Sequence, residues 1–176
     1  IEYGFNTTLN DIKEEFVQRG VSGITQRIEG KVTKGKITEE KKTEILGNLK
    51  TSTDLADAKD ADIVIEVIFE DLTLKQDVFS RLDAICPQHT IFASNSSSLP
   101  ITEMAGFTKR PDRFMGMHFL QPVPVMPLVN GIRGLLTSDE TCATIEKLAS
   151  DIGKQVIHWK DGPGHGLQLS PMAYYN

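Results

Sequence analysis

The chain has 176 residues, 39% of them hydrophobic and 24% charged, which suits one globular domain with a real core and argues against disorder. A formal charge of −5 argues against a general nucleic-acid binder, and no apolar run approaches the roughly 18 residues of a membrane helix. Nothing at the start reads as a signal peptide, so a soluble, unsecreted protein with no membrane partner is expected.

The first element expected is an extended stretch from Phe5 to Leu9, followed by a helix from Ile12 to about Val32. Ile12, Phe16, Val17, Val21, Ile24 and Ile28 recur there at helical spacing. Gly35 breaks that pattern, and Thr38 caps a second helix that carries Ile45, Leu46 and Leu49. Lys41 stands where a capping box would want Glu, so the cap is half-formed. Ile63 to Ile65 is a β-branched run of the kind found in strands buried on both faces. A helix from Leu72 to Ile85 follows, with Leu74, Val78, Leu82 and Ile85 on one side. Further strands are expected at Thr90 to Ala93, Phe114 to Phe119, Leu128 to Ile132 and Gln155 to Trp159, with a helix from Asp139 to Ile152. The two cysteines, Cys86 and Cys142, lie far apart in helical stretches and in no metal-ligand spacing. Buried free thiols in a reducing compartment are expected, with no metal site.

Strands alternating with amphipathic helices give an α/β domain on a mostly parallel sheet. Ligands bind such sheets outside the carboxyl ends of the strands. The polar clusters fall there: Asp11, Glu66 to Glu70, Asn95 to Ser98, and His118 to Gln121. An acid such as Asp11, after a strand, can accept from the ribose hydroxyls of an adenine nucleotide; it is also a common helix N-cap. His118 titrates near neutrality and can exchange a proton with a substrate hydroxyl, or it can be a core histidine bonded to a carbonyl. The Pro-Val-Pro segment after it fixes the loop, because each proline locks its φ. Ser96, Ser97 and Ser98 offer hydroxyls to a carbonyl or an imidazole, or form only a turn. The lysines between Lys31 and Lys50 read as a solvated helix face or as a landing surface for a phosphorylated substrate.

Three stretches carry a resemblance. Asn95-Ser-Ser-Ser-Leu, Gly116-Met-His-Phe-Leu-Gln-Pro-Val-Pro-Val-Met-Pro-Leu-Val and Ile132-Arg-Gly resemble the signature of the 3-hydroxyacyl-CoA dehydrogenases, including the 3-hydroxybutyryl-CoA dehydrogenases. Leu9-Asn-Asp-Ile, Ile65-Glu-Val-Ile-Phe-Glu-Asp, Arg110-Pro-Asp-Arg-Phe and Asp161-Gly-Pro-Gly extend it from about residue 4 to 164. The resemblance implies a Rossmann-like doubly wound domain over 1–164 and NAD-dependent interconversion of an (S)-3-hydroxyacyl-CoA and its 3-oxoacyl-CoA, in fatty-acid or butanoate metabolism. By position it makes His118 the catalytic acid/base, with Ser97 and residue 130 as its catalytic partners. It puts Asp11, Glu70, Lys75 and Asn95 on the NAD side, and Ser97, Lys34, Gln121 and Gln168 on the acyl-CoA side. A homodimer is implied where the family's helical domain is present. Bacterial cytoplasm is the expected location, from the compact spacing between Asp11 and Thr53, with the mitochondrial matrix as the alternative.

The chain also departs from that pattern. The family opens with a strand and a glycine-rich turn, whereas this sequence starts in what reads as the end of the following helix, at Ile1-Glu-Tyr. The sheet is therefore expected to be incomplete at its N-terminal side, or completed by a longer chain. Asn130 stands where the family has a Glu paired with the histidine. An amide can orient the imidazole but cannot stabilise imidazolium by charge, and in an unrelated triad such an exchange cost roughly 10⁴ in rate. Gln121 and Gln168 stand where the family has Asn, each one methylene longer. Residues 165–176 read as a divergent tail where the helical domain would begin. A non-catalytic nucleotide- or CoA-binding remnant is the alternative function, and a related dehydrogenase acting on a sugar acid is a third.

Overall fold

The computed structural model describes residues 1–162. Gln168 and the divergent tail from residue 165 lie outside the described residues. The chain forms two compact units, Ile1–Asp57 and Ala58 onward.

In the first unit, strand β1 (Thr7–Asn10) leads into helix α1 (Glu14–Thr33), helix α2 (Glu39–Gly47) and strand β2 (Leu49–Ser52). β1 and β2 pair in parallel, from Thr7 opposite Leu49 to Asn10 opposite Ser52. Leu49, expected at the end of α2, therefore opens a strand. The helix stops because Asn48 is its last cap and the next amides turn to the ladder. Ile12, expected on the buried face of α1, precedes the helix and is 81% exposed, while Val17 and Ile28 form the buried stripe. α1 ends as the sequence suggests. Gly35 takes φ +65°, its N–H donates to the Val32 carbonyl at 2.8 Å, and Lys36 N–H donates to Lys31 at 2.9 Å. These are the two bonds of a Schellman stop, which needs a residue at ease in the left-handed region. Thr38 caps α2 by accepting from Lys41 N–H. Ile1 to Gly4 form a turn and not the end of a helix.

The second unit holds β3 (Ile63–Glu66), α3 (Leu72–Ile85), β4 (Ile91–Ser94), α4 (Ile101–Ala105), β5 (Phe114–Phe119), β6 (Leu128–Arg133), α5 (Asp139–Asp151) and β7 (Gln155–Lys160). The strands lie in the order β3-β4-β5-β6-β7, all pairs parallel except β5 with β6. The mostly parallel α/β reading thus holds, with one reversal that the pattern of the strands did not reveal.

Alternation along the strands divides the core. Ile91 and Ala93 of β4, Met115 and Met117 of β5 and Val129 of β6 pack on Cys142, Ile145 and Ala149 of α5. Phe92 and Phe114 face the other way and meet Phe79 of α3, with ring centroids 5.9 and 4.7 Å apart. His118 follows Phe114 and Gly116 at two-residue steps, so it lies on the α3 side of the sheet.

Two expectations about burial are corrected. In β3, Ile65 remains 38% exposed, so its β-branched run is not covered on both faces in this chain. On α3 the buried positions are Lys75, Phe79 and Leu82, while Leu74 is exposed. On that face the Lys75 ammonium meets the buried Glu66 carboxylate at 2.6 Å. Cys86 and Cys142 are buried free thiols, as the sequence suggests, and burial raises the pKa of each.

Candidate active site

The site of the second unit is built on the carboxyl ends of β3, β4 and β5. Glu66 closes β3 with its side chain turned inward. One oxygen accepts from Lys75 Nζ at 2.6 Å and from Ile68 N–H at 2.7 Å; the other accepts from Ser94 Oγ at 2.7 Å. Lys75 is itself buried and lies 3.4 Å from Glu70. Lys75, which sequence reasoning put on the cofactor side, has a side chain only 1% exposed that joins two carboxylates, Glu66 and Glu70.

Glu70 organises the serine loop. Its Oε1 accepts from Ser96 Oγ at 2.5 Å, Ser97 N–H at 3.0 Å, Ser98 N–H at 3.1 Å and Ser98 Oγ at 3.0 Å. Burial works to raise the pKa of this carboxyl. The hydrogen bonds from Ser96 and Ser98 and the Lys75 charge outweigh it and hold it down at about 2. The three serines are therefore more than a turn: their donors converge on one anion. The Ser97 side chain takes no part in that nest and stays exposed at the mouth of the loop. Asn95 spans two strands, since its backbone N–H donates to Glu66 O at 2.9 Å and its side-chain oxygen accepts from Phe119 N–H at 2.8 Å.

His118 lies half-buried at the end of β5, directly opposite Asn130 in the antiparallel register. The Asn130 side chain is 1% exposed, with its amide nitrogen 3.4 Å from His118 Nδ1. Its amide oxygen accepts from Trp159 Nε1 at 3.3 Å. The reversal between β5 and β6 is what brings residue 130 to the histidine. Gln121 lies exposed beyond the strand, joined to Pro122 by a cis peptide bond.

Sequence reasoning missed three residues that support this arrangement. Lys154 donates to the carbonyls of Val123 and Met126, both at 2.7 Å, and so fastens the proline-rich loop after His118. Arg110 is buried across the end of α3. It donates to Asp83 Oδ1 at 2.7 Å, to the carbonyls of Asp83, Pro87 and Cys86, and lies 5.1 Å from the Phe92 ring. Asp161 accepts from the N–H groups of Ile101 and Thr102 at the start of α4, at 3.0 and 2.7 Å. An arginine within Arg110-Pro-Asp-Arg-Phe and an acid before Gly-Pro-Gly are the signals that could have found two of them.

In the first unit, Asp11 follows β1. Its Oδ1 accepts from the Ile12 N–H at 2.7 Å. The N-cap of α1 is Lys13, so Asp11 is not the helix cap. Part of the lysine-rich stretch is self-neutralised: Arg27 and Lys31 pair with Glu2, Lys41 with Glu44, and Lys42 with Glu39. Lys34, exposed at the end of α1, makes no ion pair among the described residues. Those residues include no group of three His, Cys, Asp or Glu side chains arranged to hold a metal ion. No described helix is long and apolar enough to cross a membrane.

In the first unit, a carboxylate oxygen of Asp11 remains for ribose hydroxyls at the end of a parallel strand, the chemistry an adenine nucleotide asks for. In the second unit, Val67 and Phe69 lie exposed after β3 as apolar surface.

The family model described as 3-hydroxyacyl-CoA dehydrogenase, NAD binding domain, matches residues 1–162. A probable 3-hydroxybutyryl-CoA dehydrogenase of Bacillus subtilis is 45% identical over 92% of this chain and 56% of its own length. The mitochondrial hydroxyacyl-coenzyme A dehydrogenase of Rattus norvegicus is 40% identical over 92% of this chain and 53% of its own. Among solved structures, the (S)-3-hydroxybutyryl-CoA dehydrogenase of Ralstonia eutropha superposes with a TM-score of 0.89 at 44% identity, covering 93% of this chain and 58% of that one. The chain thus spans little more than half the length of the relatives it matches.

Proposed function

The chain belongs to the 3-hydroxyacyl-CoA dehydrogenase family through its NAD-binding domain, and on that premise we propose that the protein interconverts an (S)-3-hydroxyacyl-CoA and the 3-oxoacyl-CoA. The observation that carries this reading is His118 at the end of β5, whose neighbour Phe119 donates to Asn95 at the head of the Ser97 loop that Glu70 holds in place. His118 exchanges the proton of the substrate oxygen, and Ser97 hydrogen-bonds that oxygen. NAD, when bound, supplies the acceptor for the hydride that leaves the substrate carbon. Asp11 holds the adenosine ribose, and Glu70 with Asn95 forms the wall on the cofactor side. Lys75 keeps Glu70 ionised and in place. On the substrate side, Lys34 attracts CoA phosphates, and Gln121 and Gln168 offer amides to the acyl-CoA. We place the reaction in fatty-acid or butanoate metabolism, in bacterial cytoplasm with the mitochondrial matrix as the alternative, and with a homodimer as the working state where the family's helical domain is present.

One observation favours a second reading, a nucleotide- or CoA-binding remnant without turnover. Asn130 puts an amide where a charged partner would stabilise the protonated imidazole. NADH consumption with acetoacetyl-CoA separates the two. Turnover that His118→Ala abolishes is the expected result. Binding of acetoacetyl-CoA without turnover would establish the remnant, and turnover unaffected by His118→Ala would overturn the assignment of the acid/base.

A further inference from the structure

The atoms around Asn130 determine more than its neighbours. An indole N–H is a donor only. The Asn130 atom facing Trp159 Nε1 at 3.3 Å must therefore be its oxygen, whichever way the amide is first drawn. The opposite end of the amide, 3.4 Å from His118 Nδ1, is then the NH2 group. An NH2 group donates, so Nδ1 of the histidine must accept, and in the neutral ring the proton sits on Nε2. Asn130 is 1% exposed, so water does not replace either bond.

We propose that Trp159 is a positioning residue: through the Asn130 amide it locks neutral His118 in the Nε2–H tautomer. This bears on the dehydrogenase reading above and rests on it only for its catalytic consequence. A ring protonated on Nε2 donates a hydrogen bond to a substrate oxygen and has no lone pair there to take the hydroxyl proton. Oxidation of the alcohol then requires the Asn130 amide to turn over, against the Trp159 bond. Turning it leaves the indole N–H facing an NH2 group inside the sheet, where neither can accept.

The test needs no substrate, so its outcome is independent of whether the protein turns over an acyl-CoA. Ring ¹⁵N resonances of labelled protein at about pH 8, above the ordinary histidine range of ~6.5, report which nitrogen carries the proton. His118→Gln assigns the signals. The wild type is expected to show the Nε2–H tautomer in excess of about tenfold, one hydrogen bond's preference. Trp159→Phe removes the donor and is expected to give a mixed population. Asn130→Asp, which can accept from both neighbours, is expected to give the Nδ1–H form. A wild-type ring protonated on Nδ1, or an unchanged ratio in Trp159→Phe, would overturn the proposal. Should Trp159→Phe fail to fold, the indole itself decides, since Trp159 is the only tryptophan in the chain. Its N–H signal should move and lose exchange protection in Asn130→Ala, and an unmoved signal would also overturn the proposal.

Discussion

Glu66 and Lys75 meet at 2.6 Å with side chains 2% and 1% exposed, one at the end of β3 and the other in the first turns of α3. The pair replaces an apolar contact at the point where the helix leaves the sheet, and Ser94 and Ile68 fill the remaining acceptor sites of the carboxylate. Removing one partner strands a charge in a place that water does not reach. Lys75→Met is expected to lower stability by roughly 3–5 kcal/mol, read as the shift of a urea or thermal unfolding midpoint. A loss below about 1 kcal/mol, the range of a surface pair, would show that Glu66 finds another partner.

Glu70 gives the stability a pH dependence of known sign. Its folded pKa lies at about 2, below the ordinary 4.5. The stabilisation is therefore complete above the ordinary value and is lost as pH falls from 4.5 towards 2. Melting temperatures of the wild type and Glu70→Gln should differ at about pH 6 and converge on acidification. A gap of constant width would mean that the serine loop does not depend on the charge of Glu70.

Asn130→Glu introduces a charged acceptor for His118 Nδ1–H at a position already opposite the ring. Turnover of acetoacetyl-CoA is expected to rise by roughly 10² or more, within the ~10⁴ that an acid-to-amide exchange has cost in another triad. Steady-state kinetics should place the change in kcat and leave KM nearly unchanged. An unaltered kcat would remove the acid/amide exchange as a limit on this site.

Lys154 is the staple of the loop after His118, with two backbone carbonyls on one ammonium. Lys154→Met keeps the stem and deletes the donors. Faster amide exchange at Val125 and Met126, which donate to Pro122 O, is the expected signature. A net cost of about 1.5–3 kcal/mol should accompany it. Unchanged exchange would assign the order of the loop to its prolines alone.

Gly131 on β6 leaves no space for a side chain. A Cβ there would lie 2.6 Å from Val156 Cγ1 and 2.9 Å from Met115 Cε. Gly131→Ala is expected to cost about 1–3 kcal/mol by overpacking, measured as an unfolding midpoint. The same substitution at Gly23, where nothing lies within 4 Å, is the control.

Much of this architecture is legible in the sequence, for physical reasons that differ by element. The bounds of α3 and of β5 can be read directly, because helical periodicity and an apolar run between turn residues leave little choice. β2 is not legible, since Leu49 follows Ile45 and Leu46 at helical spacing and reads as the end of α2, whereas the helix is capped at Asn48 and Leu49 opens the strand. α4, at five residues, is shorter than the window in which periodicity shows. Ser97, His118 and Asn130 could be singled out from motifs, but the partners of Asn130 could not. Trp159 comes within reach only because β6 and β7 pair in register, a relation that local sequence does not encode.

The Asp161 carboxylate on the start of α4 reaches back across 60 residues of chain. It makes the stretch from the serine loop to the end of β7 a closed circuit, fastened by two N–H hydrogen bonds just after β7. Anyone trimming, fusing or tagging this protein therefore has a boundary to respect. A junction placed before Asp161 would leave β1 to β7 intact and still unlatch the helix that follows Ser97.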